Sequence, residues 1–201
     1  MSELLKDCTG VILAGGENRR MPVLKSFLKV NGSKIIEKNL SIFKTLFKEN
    51  FIVTNQPEIY VRLQTPLLGD VYDTRGPMTG VLTSLLNAST PWVFVSACDM
   101  PYINQDLIRY MADKREGFDA VVPLPLGKTE PLFTFYSNRL ILEIEKALCS
   151  GKRGLKDFLI TKRVKYITTR EIKKTDPEMR SFININTLED ARLFIQAPAG
   201  L

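Results

Sequence analysis

Residues 13–16 begin a segment whose residue types and spacing suit phosphate binding. They read Leu-Ala-Gly-Gly and are followed by Arg20 and Lys25. Two adjacent glycines let backbone amides come close to a phosphate, because no β-carbon intervenes. Arg20 and Lys25 add charge that neutralises a polyphosphate, arginine as a planar fork and lysine as a point charge. The segment predicts a triphosphate-binding loop, although a lone glycine pair is also typical of an ordinary strand-to-helix turn.

A carboxylate follows the apolar run at residues 92–97. The run leads into Cys98, Asp99 and, two residues further, Pro101, which prevents the strand from continuing. An acid at such a strand end faces the crevice where open parallel sheets bind ligands. Mg²⁺ prefers one or two carboxylates together with phosphates and water. We therefore interpret Asp99 as a magnesium ligand rather than as a turn aspartate, and Cys98 as a small buried hydrophobic residue.

Two other segments carry polar side chains suited to binding. Asp73 precedes Gly76 and Pro77, which predict a sharp start to a helix. The carboxylate of Asp73 could accept hydrogen bonds from N1 and N2 of guanine. An aspartate-initiated turn is the alternative. Asn184 and Asn186 lie two residues apart and share one face if they belong to a strand. They could orient a metal, its water or an acceptor, or simply satisfy each other at a strand end.

The composition excludes several kinds of chemistry. The 201 residues include no histidine, which removes Ser-His-Asp and Cys-His catalysis. The three cysteines are odd in number and widely spaced, which argues against a disulfide framework and a zinc cluster. Catalysis must then use carboxylates, lysines, arginines, backbone dipoles or a hard metal ion.

The charge and the hydropathy narrow the expected partners. The net charge of +6 comes without a compact basic stripe interleaved with aromatic residues, so we expect no nucleic acid partner. No apolar run approaches the roughly 18 to 20 residues of a membrane helix, and the N-terminus does not resemble a signal peptide. We expect a cytoplasmic protein whose residues 1–201 form a single domain.

The elements that position these residues alternate between strand and helix. Short apolar runs at residues 10–13, 51–53, 92–97 and 120–122 predict strands buried on both faces. Helical spacing appears between them; its apolar positions are Ile35, Ile36, Leu40, Phe43 and Phe47, then Met78, Val81, Leu82 and Leu85, then Leu107, Ile108 and Met111. This alternation predicts an α/β fold of three layers, with a mostly parallel doubly wound sheet.

The later part of the chain is less regular. We expect a strand at residues 132–136, a helix at residues 138–149 and a basic segment at residues 151–165. A last strand at residues 182–185 should lead into a helix that Thr187 caps, with acidic residues in its first turn.

Four separated motifs in this order resemble the molybdenum cofactor guanylyltransferase family, a group of nucleotidyltransferases with a Rossmann-like fold. The motifs are Leu13-Ala14-Gly15-Gly16 with Arg20, Met21 and Lys25; Asp73 before Gly76, Pro77 and Gly80; Cys98, Asp99 and Pro101; and Asn184, Asn186 and Thr187. The resemblance implies transfer of GMP from GTP to molybdenum-bearing molybdopterin, with Mg²⁺ on Asp99. It implies GTP contacts from Leu13 to Gly16, Lys25 and Asp73, and from Thr54 or Asn55 at the second strand end.

The resemblance also assigns catalysis to Arg20, Lys25 and Asp99. Asn184 and Asn186 are the candidate acceptor contacts named above. The basic run that contains Arg153 resembles a family segment that could meet the acidic phosphate of the pterin, and a solvated helix start is an equal alternative. The resemblance also allows molybdoenzymes or cofactor-delivery proteins as further partners. The chain departs from the family pattern at Pro22 and Leu24, where a glycine and an acid are usual, and at Glu130, where a histidine is often found. A cytidylyl- or sugar-1-phosphate nucleotidyltransferase of the same fold, or a catalytically idle nucleotide-binding adaptor, is the alternative.

Overall fold

The structure is a computed structural model that describes residues 3–15, 25–30, 32–74, 76–185 and 189–190. Its strands are β1 (Leu5–Leu13), β2 (Lys29–Val30), β3 (Ser33–Lys34), β4 (Phe47–Val53), β5 (Leu67–Leu68), β6 (Trp92–Ala97), β7 (Ala120–Leu124), β8 (Phe133–Ser137) and β9 (Val164–Thr168). Its α-helices are α1 (Ile35–Leu46), α2 (Pro57–Tyr60), α3 (Pro77–Asn87), α4 (Gln105–Ala112), α5 (Ile141–Cys149), α6 (Leu155–Ile160) and α7 (Thr169–Ile172).

Seven strands form the central sheet in the order β5-β4-β1-β6-β8-β7-β9. All neighbouring pairs are parallel except β6 with β8 and β8 with β7, so β8 alone in this sheet runs against the others. The predicted α/β fold with a mostly parallel sheet is therefore confirmed. Strands β2 and β3 form a separate antiparallel ribbon.

Apolar side chains alternate between the two faces of the sheet and build two cores. Ile12 and Phe94 lie in the core that contains residues of α1 and α4. Val11 and Val93 lie in the opposite core, against α3, α5 and α6. Because successive strand residues point to opposite faces, each strand supplies both cores. This arrangement produces the three expected layers.

Gly10 permits the close packing of α1 on the centre of the sheet. A β-carbon at this position would lie 2.4 Å from Phe47 Cδ2 and 2.9 Å from Phe43 Cδ2. These two rings contact each other edge to face, with centroids 5.4 Å apart. A side chain at residue 10 would therefore displace the aromatic core between α1 and β1.

Two sequence-based expectations about regular structure are wrong. Phe47 was expected on the apolar face of a helix, but α1 ends at Leu46 and Phe47 begins β4 without a connecting loop. A last strand was expected at residues 182–185, but a 3-10 turn covers Arg180–Phe182 and residues 183–185 have no regular structure. The side chain of Asp176 causes this turn, since it accepts hydrogen bonds from the backbone of Arg180 and Ser181.

Other expectations are confirmed with small changes. The predicted helix at residues 138–149 consists of a 3-10 turn, Asn138–Leu140, followed by α5. The basic segment contains α6 and the start of β9. Thr187 lies outside the described residues, although residues 189 and 190 are helical. Within the described ranges, no helix has both the length and the apolar character of a membrane span.

Candidate active site

Three neighbouring strands end side by side and bring together three of the predicted binding segments. At the ends of β1, β4 and β6, Leu13 pairs with Val53 on one side and with Ala97 on the other. The backbone N–H of Ala14 donates to the carbonyl of Val53 at 2.8 Å, and that of Cys98 to Leu13 at 3.1 Å. Residues 14–15, 54–55 and 98–99 therefore follow adjacent strands at one sheet edge, which we call the carboxyl edge.

The start of the predicted phosphate loop has room for a ligand. Gly15 is exposed, and a β-carbon there would have no heavy atom within 4 Å among the described residues. Packing against the described residues therefore does not require a glycine at this position, whereas close approach of a ligand to the backbone would. Gly16, Arg20 and Asn186 lie outside the described residues. Lys25 opens a 3-10 turn, Lys25–Phe27, and its side chain is likewise not described.

The start of α3 packs directly against the end of β1. Gly76 caps the helix with φ 149°, a backbone conformation that favours glycine, and Pro77 follows in its first turn. A β-carbon on Gly80 would lie 3.1 Å from Leu13 Cδ2. The glycines of this motif thus shape the helix entry and let it approach the predicted nucleotide site closely.

Asp73 lies in an exposed bend just before that helix. Two contacts anchor the residues just before Asp73. The backbone N–H of Val71 donates to Thr83 Oγ1 at 3.0 Å, and the hydroxyl of Tyr72 donates to Glu145 on α5 at 2.6 Å. Asp73 is therefore presented to solvent by a fixed segment, as a base-recognising carboxylate requires.

The side chains after β4 stabilise loops. Asn55 and Asp70 form a reciprocal pair, in which Asn55 Nδ2 donates to the Asp70 carboxylate at 2.8 Å and the backbone N–H of Asp70 donates to Asn55 Oδ1 at 3.0 Å. Thr54 is buried, and its hydroxyl oxygen accepts from the backbone N–H of Gln56 at 3.1 Å. Asp70 is a site-shaping residue that the sequence analysis missed, and no motif signalled it.

Asp99 lies just after the end of β6 and contacts the segment that contains Asn184. Its carbonyl accepts a hydrogen bond from the backbone N–H of Ile185 at 3.0 Å. Asn184 Oδ1 is a buried oxygen with no hydrogen-bond partner among the described residues. A buried acceptor without a partner is costly, so its position beside Asp99 is consistent with a cationic or hydrogen-donating ligand.

Glu130 is a second carboxylate near Asp99. Its position is set by the backbone, because its N–H donates to Pro123 at 3.1 Å and its Oε1 accepts from the N–H of Leu132 at 3.1 Å. Burial raises the pKa of Glu130; the negative charge of Asp99 acts in the same direction, while Leu132 N–H and Lys156 oppose it. The backbone N–H of Ala97 donates to the carbonyl of Leu132 at 3.0 Å, so the segment that carries Glu130 lies beside the end of β6.

Arg153 lines a separate cavity of about 520 Å³ between α5 and α6. All residues that line this cavity lie between positions 143 and 162, and they include Lys146, Lys152 and Lys162. The structure therefore places Arg153 in a basic groove with neighbouring helices instead of in the cluster at the ends of β1, β4 and β6.

The side-chain oxygens of the described residues suit a metal that takes most of its ligands from a substrate. No group of three or more carboxylates and cysteines that could hold a metal occurs in the described ranges. This excludes a metal held entirely by such side chains within those ranges. Mg²⁺ needs only one or two carboxylates when phosphates and waters complete its octahedron, and Asp99 with the Asn184 oxygen fits that requirement.

A doubly wound sheet with a glycine loop after β1 and a carboxylate after β6 is typical of nucleotide-binding proteins of the α/β class. Comparison with known families specifies the class further. The chain belongs to the MobA-like NTP transferase domain family, whose model matches residues 10–166. It is therefore a nucleotidyltransferase.

Curated relatives match nearly the whole chain. A probable molybdenum cofactor guanylyltransferase of Peptoclostridium acidaminophilum is 35% identical over 195 residues, covering 94% of this chain and 88% of the relative. A molybdenum cofactor guanylyltransferase of Desulfosudis oleivorans is 35% identical over 184 residues, covering 90% of this chain and 91% of the relative.

Solved structures agree with this assignment. The crystal structure of molybdopterin-guanine dinucleotide biosynthesis protein A from Archaeoglobus fulgidus superposes with a TM-score of 0.82 at 25% identity, covering 94% of this chain and 97% of that chain. A nucleotidyl transferase from Methanothermobacter, 17% identical with a TM-score of 0.71 and 93% and 95% coverage, shows the same fold.

Proposed function

We propose that this nucleotidyltransferase transfers GMP from Mg-GTP to the phosphate of molybdenum-bearing molybdopterin, forming the guanine dinucleotide cofactor and releasing pyrophosphate. The names of its curated relatives support this reaction. The observation that carries the proposal is the alignment of β1, β4 and β6, which brings the Gly15 loop and Asp99 to one sheet edge.

The nucleotide contacts follow from this alignment. In the proposal, the backbone from Leu13 to Gly16 and the side chains of Arg20 and Lys25 hold the phosphates. Asp73 recognises guanine, because its carboxylate accepts hydrogen bonds and the guanine edge offers two donors. Thr54 and Asn55 contribute by shaping the adjacent loop, since their side chains already hold Gln56 and Asp70.

The reaction needs no general base. The terminal phosphate of the acceptor is an anion at neutral pH and attacks the α-phosphorus of GTP in line, while the bond to pyrophosphate breaks. Arg20 and Lys25 neutralise charge on the leaving group, and the loops position both substrates. Positioning alone can supply roughly 7 to 11 kcal/mol of the barrier, which accounts for an active site in a chain without histidine.

Asp99 would hold Mg²⁺ when the nucleotide is bound, and the metal would then neutralise negative charge on the phosphates. Asn184 and Asn186 would orient the metal, its water or the acceptor. Arg153 would meet the acidic acceptor from the groove between α5 and α6. We also propose that residues 1–201 act as one domain and that molybdoenzymes or cofactor-delivery proteins receive or supply the pterin.

Calorimetric binding of GTP, CTP, ATP and UTP in the presence of Mg²⁺, followed by a pyrophosphate-release assay with molybdenum cofactor, tests the proposal. We expect selective GTP binding, and pyrophosphate release that depends on the acceptor. A clear preference for CTP would favour a cytidylyltransferase instead. Nucleotide binding without any pyrophosphate release would indicate an idle adaptor, and the absence of nucleotide binding would refute the proposal.

A further inference from the structure

The short turn that begins with Lys25 is held from inside the protein by Tyr60. Ser26 and Tyr60 are 1% and 3% exposed, and their hydroxyl oxygens lie 3.0 Å apart in a buried hydrogen bond. The rings of Phe27 and Tyr60 are also in contact, with centroids 5.6 Å apart. Two of the three residues in this turn therefore contact the same tyrosine.

Such a turn depends on tertiary contacts for its position. A 3-10 helix of three residues has few hydrogen bonds of its own, and their geometry is poor. The two buried hydroxyls satisfy each other, and a buried hydroxyl that loses its partner is destabilised. Burial raises the pKa of Tyr60 to about 12, so the phenol keeps its proton throughout the neutral range. The phenol can therefore donate a hydrogen bond to Ser26 at neutral pH.

Tyr60 also shares a core with the strand end that carries Asp99. It is the last residue of α2, which follows β4 at the carboxyl edge. Tyr60 belongs to the apolar cluster against which Cys98 packs, and Cys98 directly precedes Asp99. One buried side chain thus contacts the turn that begins with Lys25 and lies in the core beneath the end of β6.

We propose that Tyr60 is a positioning residue that, through Ser26, fixes the turn of Lys25 relative to the strand end that carries Asp99. The proposal rests on the proposed function, in which Lys25 contacts the triphosphate of the nucleotide. Its physical reason is that a phosphate-binding lysine on a three-residue turn acts productively only when that turn has a single position.

Two substitutions remove the hydrogen bond and retain the fold. Tyr60→Phe keeps the ring against Phe27, and Ser26→Ala removes the other hydroxyl. Each should weaken the binding of Mg-GTP about five-fold, the effect of one hydrogen bond, and the double variant should lose no more than either single one. Binding of GMP should change less than two-fold. Tyr110→Phe, which removes a hydroxyl bound to Glu171 on α7, is the matched control and should leave both affinities unchanged.

A double-mutant cycle with Lys25→Ala decides whether the effect passes through the lysine. In the Lys25→Ala background, Tyr60→Phe should have no further effect on GTP affinity, with thermal unfolding confirming that every variant is folded. A five-fold loss that persists without Lys25, or an equal loss for GTP and GMP, would overturn the positioning role. The cycle uses whichever triphosphate the wild type binds; if it binds none, the proposed function and this inference both fail.

Discussion

At the edge of the sheet where the parallel strands begin, charged side chains are paired with one another, whereas at the carboxyl edge a glycine is exposed and a buried amide oxygen has no partner in the described part of the chain. Asp119 at the beginning edge binds the guanidinium of Arg163 through both oxygens, at 3.1 and 3.0 Å, and that of Arg139 at 3.3 Å. At the carboxyl edge, Gly15 is open to solvent and Asn184 Oδ1 has no partner in the described part of the chain.

A second network links the strands at the beginning edge beside β1. Glu49 accepts hydrogen bonds from Thr9 Oγ1 and from the backbone N–H of Ser89, and the hydroxyls of Thr9 and Thr90 lie 2.7 Å apart. These contacts join β1 and β4 to the segment that enters β6. Satisfied networks stabilise a fold, while groups left available for a ligand commonly reduce stability in exchange for function. We therefore expect substitutions at the beginning edge to lower the free energy of unfolding and substitutions at the carboxyl edge to lower turnover or substrate binding.

The largest expected effect is on turnover, at Asp99. Asp99→Asn keeps the size of the side chain and removes the charge, so loss of a preorganised charged group should lower kcat about 10²- to 10³-fold. The variant should remain folded, and its free energy of unfolding should change less than the roughly 2.7 to 4 kcal/mol to which this loss of kcat corresponds. Steady-state pyrophosphate release and urea unfolding measure the two quantities.

Asp113→Asn, in an exposed position after α4, is the matched control and should leave turnover at the wild-type value. Wild-type turnover in a folded Asp99→Asn variant would remove Asp99 from the mechanism and would end the proposed distinction between the edges.

At Asp119 we expect a loss of stability without a loss of turnover. Asp119→Asn weakens the contacts that join the beginnings of β7 and β9 and the end of β8, so the free energy of unfolding should fall by about 2 kcal/mol, the value of a hydrogen-bonded charged group. Turnover should stay within two-fold of the wild type, because the residue lies at the edge away from the site. Parallel urea unfolding and activity measurements test this, and a large loss of kcat in the folded variant would contradict it.

The contribution of Asp119 should also depend on pH. Burial acts to raise the pKa of this carboxyl, but the hydrogen bonds and charge of Arg163 and the charge of Arg139 outweigh burial and hold it below the usual 3.8. A carboxyl whose pKa is lowered by folding stabilises the protein above its unfolded pKa and loses that contribution as the pH falls through its folded pKa. The stability difference between the wild type and Asp119→Asn should therefore shrink below about pH 4; a constant difference would argue against the ion pair.

A smaller effect is expected on base selection, at Asp73. Asp73→Asn places a donor opposite the two donors of guanine, so GTP affinity should fall about ten-fold, within the range of charged hydrogen bonds. ATP affinity in the same variant is the internal control and should not fall. Calorimetric titration measures both affinities. An equal loss for GTP and ATP would indicate that Asp73 acts in phosphate binding or in folding and not in base recognition.

The smallest effect is expected at Arg153, in the groove between α5 and α6. Exposed ion pairs contribute about 0.2 to 1 kcal/mol, so Arg153→Ala should raise the KM for the acceptor about two- to five-fold and leave GTP affinity unchanged. Arg170→Ala, an exposed arginine on α7, is the control. An unchanged acceptor KM would separate the groove from acceptor binding.

The layers of the fold were predictable because strong periodic patterns in the sequence generate them. The apolar runs that became β1, β4, β6 and β7 are buried by helices on both sides, and burial on both faces leaves a continuous apolar signature. Phe47 was misassigned because it continues the helical spacing from Phe43 and still packs against that ring. Its change from helix to strand depends on the pairing of β4 with β1, which spacing along one segment does not reveal.

The sequence by itself determined which residues could handle a nucleotide, because glycine pairs, strand-end carboxylates and basic residues have their chemistry wherever they are placed. Only the tertiary structure decided which of them meet. In the folded protein Asn55 forms a hydrogen bond with Asp70, Arg153 lines the groove between α5 and α6, and the turn that begins with Lys25 contacts Tyr60. Each of these contacts links residues from different elements, so each depends on how the sheet and its helices pack and not on a local pattern.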